Sequence, residues 1–273
     1  MIIPNYVPEL ARSYDTSASR YRADDEIEVC SESHRRLGAI LRSICREFPR
    51  PIRALEIGCG TGRNFHCLEN VELLVGTDLS AAMLKFAECP ARAKEVTARQ
   101  IRLLQGDIAA MEFPAGSFDF IYALGVFGFG ARWSQQLSDK AYAWLSPEGR
   151  IFFNAIEVPH FRNRMHRFKY TLKATVYPRL PPALRTLLTT RDSVPIVAHS
   201  PAAVRSVMER SGFTHTTLSS QPCHSPLWRG VHLECFARKC ELPSRSLHGP
   251  TVQSAPIQRP AGPARLHDGI VTA

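Results

Sequence analysis

Three glycines at alternate positions, Gly58, Gly60 and Gly62, directly follow a short apolar segment that ends at Ile57. Glycine lets the backbone turn tightly, and it lets a ligand lie against the main chain because no Cβ stands in the way. The residues that follow can open a helix whose first N–H groups face a ligand. An acid about 20 residues further on is the ribose-binding position of a nucleotide-binding βαβ unit. Asp78 stands there, at the end of the next predicted strand.

Predicted strands and helices alternate along the chain from residue 52. The strands are predicted at about 52–58, 71–77, 101–105, 117–124, 150–157, 213–220 and 231–238. The helices are predicted at about 62–69, 80–88 with a continuation towards 99, 132–145 and from Ser200 to Gly212. Such alternation favours an α/β fold with a parallel sheet and helices on both faces.

Five segments, in this order, resemble the motifs of the class I S-adenosylmethionine-dependent methyltransferases. They span residues 55–62, 75–80, 104–108, 118–123 and 145–150. The last resembles the family's Leu-x-Pro-Gly-Gly turn, with Glu148 in place of the first glycine. The resemblance implies a Rossmann-like, seven-stranded, mostly parallel sheet whose last strand is antiparallel, with a helical insertion after strand 5. The G-x-G-x-G spacing argues against a dehydrogenase, whose fingerprint is G-x-G-x-x-G.

The resemblance also implies the cofactor, S-adenosylmethionine, and a set of residues that hold it. The implied cofactor-binding residues are Tyr14, Tyr21, Glu56, Gly58, Cys59, Gly60, Gly62, Asp78, Leu79, Asp107, Ile108 and Leu124. Asp78 would accept both ribose hydroxyls, and Asp107 would bind the adenine amino group. Glu56 or the carbonyl of Leu124 would bind the methionine amine. A structural role is the alternative for each of these side chains, and for the two tyrosines that would fold over the cofactor.

No catalytic residue is predicted, because a sulfonium already activates the methyl group and positioning supplies much of the rate. The candidate general bases are His160, His166, His199 and His224. Each is better explained as an exposed or core histidine than as a base. No metal site is predicted either, because the cysteines and histidines between 223 and 240 fit no standard zinc spacing.

The chain of 273 residues has a net charge of +9, and one segment carries most of it. Residues 158–195, here called the basic segment, contain eight basic residues and one acidic residue, a net +7. Apolar residues recur there at helical spacing, which predicts a basic amphipathic helix that covers the acceptor site. The partner of this segment could be an acidic small molecule, an anionic membrane surface or RNA phosphates. Alternatively, its cations form a solvated face with no partner.

The segment 123–129 is apolar and aromatic, which suits the wall of a small-molecule pocket. It contains neither the Asn/Asp-Pro-Pro-Tyr/Phe motif nor the Pro-Cys motif that DNA methyltransferases of the family it resembles carry there, so a nucleic-acid acceptor is disfavoured. We therefore expect methyl transfer to a small-molecule acceptor. An RNA methyltransferase and a non-catalytic cofactor-binding protein of the same fold are the alternatives.

The sequence predicts four regions. Residues 1–50 form an N-terminal helical cap, with an irregular stretch around Tyr14 and Tyr21 before a helix at 27–48. Residues 51–157 and 196–240 form the core, 158–195 the insertion, and 241–273, rich in proline and lacking aromatic residues, a disordered tail. Scattered cysteines, no apolar run of about 20 residues and no signal-like start predict a cytoplasmic protein.

Overall fold

Seven strands form one sheet in the order β3-β2-β1-β4-β5-β7-β6 in the computed structural model, which describes residues 7–157, 176, 180–181, 197–225 and 229–240. The strands are β1 Ile52–Ile57, β2 Val71–Asp78, β3 Gln100–Gln105, β4 Phe118–Phe127, β5 Leu145–Ile156, β6 Thr214–His224 and β7 Arg229–Arg238. The first five strands pair in parallel, and β7 is antiparallel to both β5 and β6. The predicted fold class is confirmed.

Five α-helices accompany the sheet in the described residues. They are α1 Val7–Glu28, α2 Glu32–Arg46, α3 Ala81–Ala87, α4 Gln135–Trp144 and α5 Pro201–Arg210. One apolar cluster joins Leu55 and Ile57 of β1 to α4 and α5. A second cluster joins Ala54 of the same strand to α2 and α3. Successive side chains of a strand point to opposite faces, so the sheet is covered on both sides, as its apolar strands predict.

Serine caps begin α3 and α5 where the sequence predicts them. The Ser80 hydroxyl accepts a hydrogen bond from the Met83 N–H at 3.0 Å, and the Ser200 hydroxyl accepts one from the Ala203 N–H at 3.2 Å. Each cap satisfies an N–H group that the first helical turn leaves without a partner. Because α3 starts directly after β2, its cap also fixes the backbone just beyond Asp78.

The prediction of an irregular stretch around Tyr14 and Tyr21 is wrong, since both residues lie in α1. This helix has only a weak apolar stripe, so its period is hard to read from sequence. It is supported by ion pairs one turn apart, such as Arg20 with Asp24 at 3.4 Å, and by tertiary contacts. The helix predicted at 27–48 starts instead at Glu32, where the Ser31 side chain caps α2.

The helix predicted at 62–69 is also wrong, because the structure has only a short 3₁₀ turn at Phe65–Cys67. The backbone becomes extended at Leu68 and leads straight into β2. The continuation towards residue 99 is likewise only a 3₁₀ turn, at Ala93–Glu95. Short turns at these points leave space against the sheet that α2 fills.

The chain divides into two units, Met1–Glu241 and Leu242–Ala273. The second unit, which holds the predicted tail, lies outside the described residues, and so does almost all of the basic segment. No helix in the described part of the chain is long and apolar enough to span a membrane.

Candidate functional site

The glycine loop, residues 58–62, joins β1 to the 3₁₀ turn at the carboxyl ends of the parallel strands. Gly58, Gly60 and Gly62 have φ angles of +66°, +54° and +75°, a left-handed conformation that glycine adopts without strain. A Cβ at Gly60 would meet no atom within 4 Å, whereas one at Gly58 would meet the Val126 side chain at 2.5 Å. The loop therefore has an open face at Gly60 where a ligand could lie against bare backbone.

Asp78 lies at the end of β2, next to this open face. One of its carboxylate oxygens accepts a hydrogen bond from the Gly60 N–H at 2.8 Å, and the other accepts one from the Ser80 N–H at 2.9 Å. Burial raises the pKa of this carboxyl, against the effect of these backbone hydrogen bonds. The Leu79 backbone N–H also contacts this carboxylate, and the two oxygens together offer about four lone pairs, so the backbone contacts do not use all of them. Asp78 thus holds the glycine loop in place and can still accept hydrogen bonds from a ligand.

Glu56, at the end of β1, is fully buried. Its carboxylate accepts hydrogen bonds from the Asn64 amide and the Tyr122 hydroxyl, each at 2.7 Å. Burial raises the pKa of Glu56 to about 7, while the two hydrogen bonds oppose that rise. Asn64 and Tyr122 were not predicted as site residues. The only local signal for Asn64 was a polar side chain just beyond the loop, and for Tyr122 a polar hydroxyl inside an apolar strand.

Asp107, Ile108 and Leu124 lie at the same edge of the sheet. Asp107 follows β3, and its carboxylate accepts a hydrogen bond from the Ala109 N–H at 2.9 Å, which fixes the turn. Ile108 is half-buried against the apolar cluster of α4 and α5. Leu124 precedes Gly125, whose N–H donates to the Asn154 side chain at 2.7 Å. This contact ties the end of β4 to β5.

Cys59 and Leu79, also predicted to bind the cofactor, are placed differently. The Cys59 side chain is buried in the apolar cluster that faces α2, so only its main chain lies on the glycine loop. Leu79 follows Asp78 and packs with Leu10 and Tyr14 of α1. The structure therefore brings Leu79 next to α1 on the ligand side of the loop.

Helix α1 lies across the carboxyl edge of the sheet and is held there by side-chain hydrogen bonds. The Asp15 carboxylate accepts bonds from the Ser80 hydroxyl at 2.6 Å and the Ala82 N–H at 3.1 Å. The buried Asp25 carboxylate accepts one from the Thr61 hydroxyl at 2.6 Å. The helix is thus bonded to the start of α3 and to the glycine loop itself.

Tyr14 makes the third connection of α1, because its hydroxyl donates to the Phe129 carbonyl beyond β4 at 3.5 Å. The Tyr14 and Tyr21 rings meet edge to face with centroids 6.1 Å apart. Tyr21 is 40% exposed. Both predicted aromatic residues therefore lie on the helix that covers the edge. Asp15, Asp25 and Thr61, which hold this helix in place, were not predicted from the sequence.

Two of the four candidate bases, His199 and His224, lie in the described residues. His199 is buried, and its Nε2 accepts a hydrogen bond from the backbone N–H of Trp133 at 3.1 Å. Burial lowers the pKa of His199 to about 4, so it is a neutral core histidine. His224 is exposed at the end of β6, while His160 and His166 lie outside the described residues. In the described part, the cysteines and histidines between 223 and 240 form no ligand cluster.

Known proteins similar to this chain include methyltransferases. Residues 54–149 match the family model described as a methyltransferase domain. A search of curated proteins by sequence returns no match. Among solved structures, a Thermotoga maritima S-adenosylmethionine-dependent methyltransferase, a possible histamine N-methyltransferase, is 15% identical with a TM-score of 0.53 over 84% of this chain and 99% of its own. A Methanosarcina mazei S-adenosylmethionine-dependent methyltransferase is 13% identical with a TM-score of 0.55 over 72% and 97%.

A third similar structure is a phosphoethanolamine N-methyltransferase from Haemonchus contortus, solved with phosphomonomethylethanolamine and S-adenosylhomocysteine. It is 14% identical with a TM-score of 0.53, over 76% of this chain and 53% of its own. At these identities the structures establish a common fold. The family match shows a methyltransferase domain over residues 54–149, and the structures show that the fold is that of the class I S-adenosylmethionine-dependent methyltransferases. S-adenosylmethionine is its cofactor, and the five motifs in the sequence identified the family correctly.

Proposed function

We propose that this methyltransferase acts on a small-molecule acceptor that carries an acidic group. The observation that supports a small acceptor best is the position of α1, which is bonded to the loops that follow β1, β2 and β4. A helix across the carboxyl edge encloses the reaction site. A polymer such as RNA would need this helix displaced, whereas a small molecule needs only a gap beside it.

The cofactor would lie between the glycine loop and α1. The open face at Gly60 accommodates its main body, and the free lone pairs of Asp78 suit the ribose hydroxyls. Asp107 and Ile108 would hold the adenine, and Glu56 would bind the methionine amine. When bound, S-adenosylmethionine supplies an electrophilic methyl group. The chain then has to orient the acceptor and exclude water, because positioning accounts for much of such a rate.

The segment that would form the acceptor wall, 123–129, is apolar and aromatic. Phe127 in this segment is buried in the core, and the Phe129 carbonyl accepts a hydrogen bond from the Tyr14 hydroxyl. Asn154 and His232 lie behind it, their side-chain nitrogens 3.5 Å apart. Such a lining binds the carbon skeleton of a small molecule, with a few polar groups to orient it.

The basic segment supports an acidic acceptor group. Leu180, one of its few described residues, packs with Leu10, Tyr14 and Leu79. This contact connects the segment, which carries a net charge of +7, to the ligand side of α1. The Haemonchus contortus enzyme was solved with a phosphate-bearing molecule of this kind. In an enclosed site, cations bind an acidic group more strongly than they do in water.

The test is an acceptor screen that measures release of S-adenosylhomocysteine, with acidic, neutral and amphiphilic small molecules compared. Neutralising Arg162, Arg164 and Arg167 together to glutamine should raise the acceptor KM and leave cofactor affinity nearly unchanged. The matched control replaces three exposed cations from outside the basic segment, Lys94, Arg99 and Arg102, which removes the same net charge.

A control variant with the same rise in KM would show a general effect of charge and contradict the proposal. A fall in cofactor affinity with an unchanged KM would make the basic segment part of the cofactor site. Loss of RNA or anionic-vesicle binding with small-molecule turnover intact would support one of the other partners instead.

A further inference from the structure

A cluster of two imidazoles and a thiol lies apart from the cofactor residues, where α2 packs on the 3₁₀ turn. His34 belongs to α2, and His66 and Cys67 belong to the turn. The two histidine Nε2 atoms are 3.4 Å apart. The Cys67 Sγ lies 3.5 Å from the Nε2 of His34 and 3.6 Å from that of His66. We call these three residues the His-Cys cluster.

These separations match the edges of a zinc coordination tetrahedron. With Zn–N bonds of about 2.0–2.1 Å and Zn–S bonds of about 2.3 Å, tetrahedral angles place two nitrogens about 3.3–3.4 Å apart. The same bonds place a nitrogen and a sulfur about 3.5–3.6 Å apart. All three observed distances agree. A triangle of mutual contacts is also a poor hydrogen-bond arrangement, because a proton on one atom cannot point at both of the others.

We propose that His34, His66 and Cys67 bind a zinc ion and leave its fourth position open. The three residues line a cavity of about 340 Å³, so an ion in front of the triangle would face free space. Two imidazoles and a thiolate are a set of ligands that Zn²⁺ prefers. The spacing between His34 and the His66-Cys67 pair follows no standard zinc pattern, which is why the sequence does not reveal the site.

The cavity favours an anion or water in the fourth position. Arg35, Arg42, Arg92 and Glu95 also line it, and Arg92 pairs with Glu95 at 3.6 Å. Three guanidinium groups oppose a bare divalent cation, but they attract an anionic fourth ligand. The site would therefore bind the metal together with negative charge, supplied by the thiolate and by Glu95, hydroxide or a small anion.

The cluster is connected to the cofactor residues through the 3₁₀ turn. Asn64 stands directly before that turn, and its amide donates to the buried Glu56. A metal that joins His66 and Cys67 to α2 would fix the turn and, with it, the Asn64 side chain. The metal is thus a positioning element for the β1 end of the methyltransferase site, and metal binding itself does not depend on which acceptor is used.

Cobalt titration of the full-length protein tests the site directly. The protein is first freed of metal with a chelator and dialysed, and Co²⁺ is added while the visible spectrum is recorded. We expect one equivalent to bind, with the strong d–d bands of a tetrahedral ion and a thiolate charge-transfer band. Zn²⁺ should then displace the cobalt and bleach both. The variants Cys67→Ser and His34→Gln should weaken binding about 100-fold or more, and Cys67→Ser should abolish the charge-transfer band.

The matched control is Cys45→Ser, which changes a buried cysteine of α2 that lies outside the cluster. It should keep the full spectrum and one equivalent of metal. Wild-type protein that shows no tetrahedral cobalt spectrum would overturn the proposal, as would a Cys67→Ser variant that keeps the charge-transfer band. Because neither readout involves methyl transfer, a failure here is distinct from a failure of the proposed acceptor chemistry.

Discussion

Replacing Glu56 by glutamine should remove the pH dependence of cofactor binding. The fully buried carboxyl has its pKa raised by burial from an ordinary 4.5 to about 7. If the cofactor amine binds the ionised carboxylate, wild-type protein must lose a proton to bind at low pH. From about pH 8.5 to about pH 5.5, the ionised fraction of a group with this pKa falls about 30-fold, and affinity should fall with it. The Glu56→Gln variant has no such proton to lose.

At about pH 8.5 the variant should bind more weakly, because a hydrogen bond between two charged groups is replaced by one to a neutral amide. Such bonds contribute about 1.5–3 kcal/mol, which corresponds to an affinity loss of about 10–150-fold. Glutamine is nearly isosteric and can still accept from Asn64, so the fold should survive. Near pH 5.5, the affinities of the two proteins should converge.

Isothermal titration calorimetry with S-adenosylhomocysteine at several pH values measures both effects. The same reasoning has a consequence for stability. Because the folded-state pKa of Glu56 is raised, its favourable contribution is fully present below pH 4.5 and is lost as the pH rises through about 7. Wild-type affinity that does not change with pH, or a glutamine variant that keeps the wild-type slope, would refute a direct role for this carboxylate.

Three further substitutions probe the fold and the site. Asp78→Asn should weaken S-adenosylhomocysteine binding by about 1.5–3 kcal/mol in calorimetry, because the amide nitrogen cannot accept hydrogen bonds; unchanged affinity would contradict the assigned position. Glu148→Gly should raise the free energy of unfolding in urea by about 0.5–1 kcal/mol, because Glu148 has a φ of +60°; a lower value would count against strain there. Asp119→Asn should lower stability at pH 7 by about 1–3 kcal/mol. Burial opposes a low pKa for Asp119, but contacts with arginine and serine side chains and a backbone N–H hold this pKa below 3.8. The extra stability of the wild type over the variant should therefore be present above pH 3.8 and disappear as the pH falls further. Equal stability of the two proteins at pH 7 would be the contrary result.

The sheet and the glycine loop could be predicted because their signals are local. The loop needs left-handed backbone at alternate positions, which shows directly as three glycines. Each parallel strand is covered on both faces, so it shows as an apolar run. Asp78 follows from its distance to the loop. These features depend on neighbours in sequence, and the family resemblance then supplied the number of strands and the antiparallel direction of the last one.

The contacts that complete the site could not be predicted in this way. Asp15 and Ser80 are 65 residues apart, and Asp25 and Thr61 are 36 apart. No periodicity links such pairs, because their meeting depends on how α1 lies on the finished sheet. Helix α1 itself was missed for a related reason: its stability comes from tertiary contacts more than from an apolar stripe.

The polar attachment of α1 has a consequence for turnover. In the structure this helix buries few apolar side chains, chiefly Leu10 and Ala18, and is held mainly by hydrogen bonds to the loops beneath it. Elements with little apolar burial are the first to open in local unfolding. If S-adenosylhomocysteine lies between the glycine loop and α1, as proposed above, its release requires the helix to move, and in many enzymes such opening, not chemistry, limits the rate. We therefore expect product release to depend on how often the Asp15 and Asp25 hydrogen bonds break.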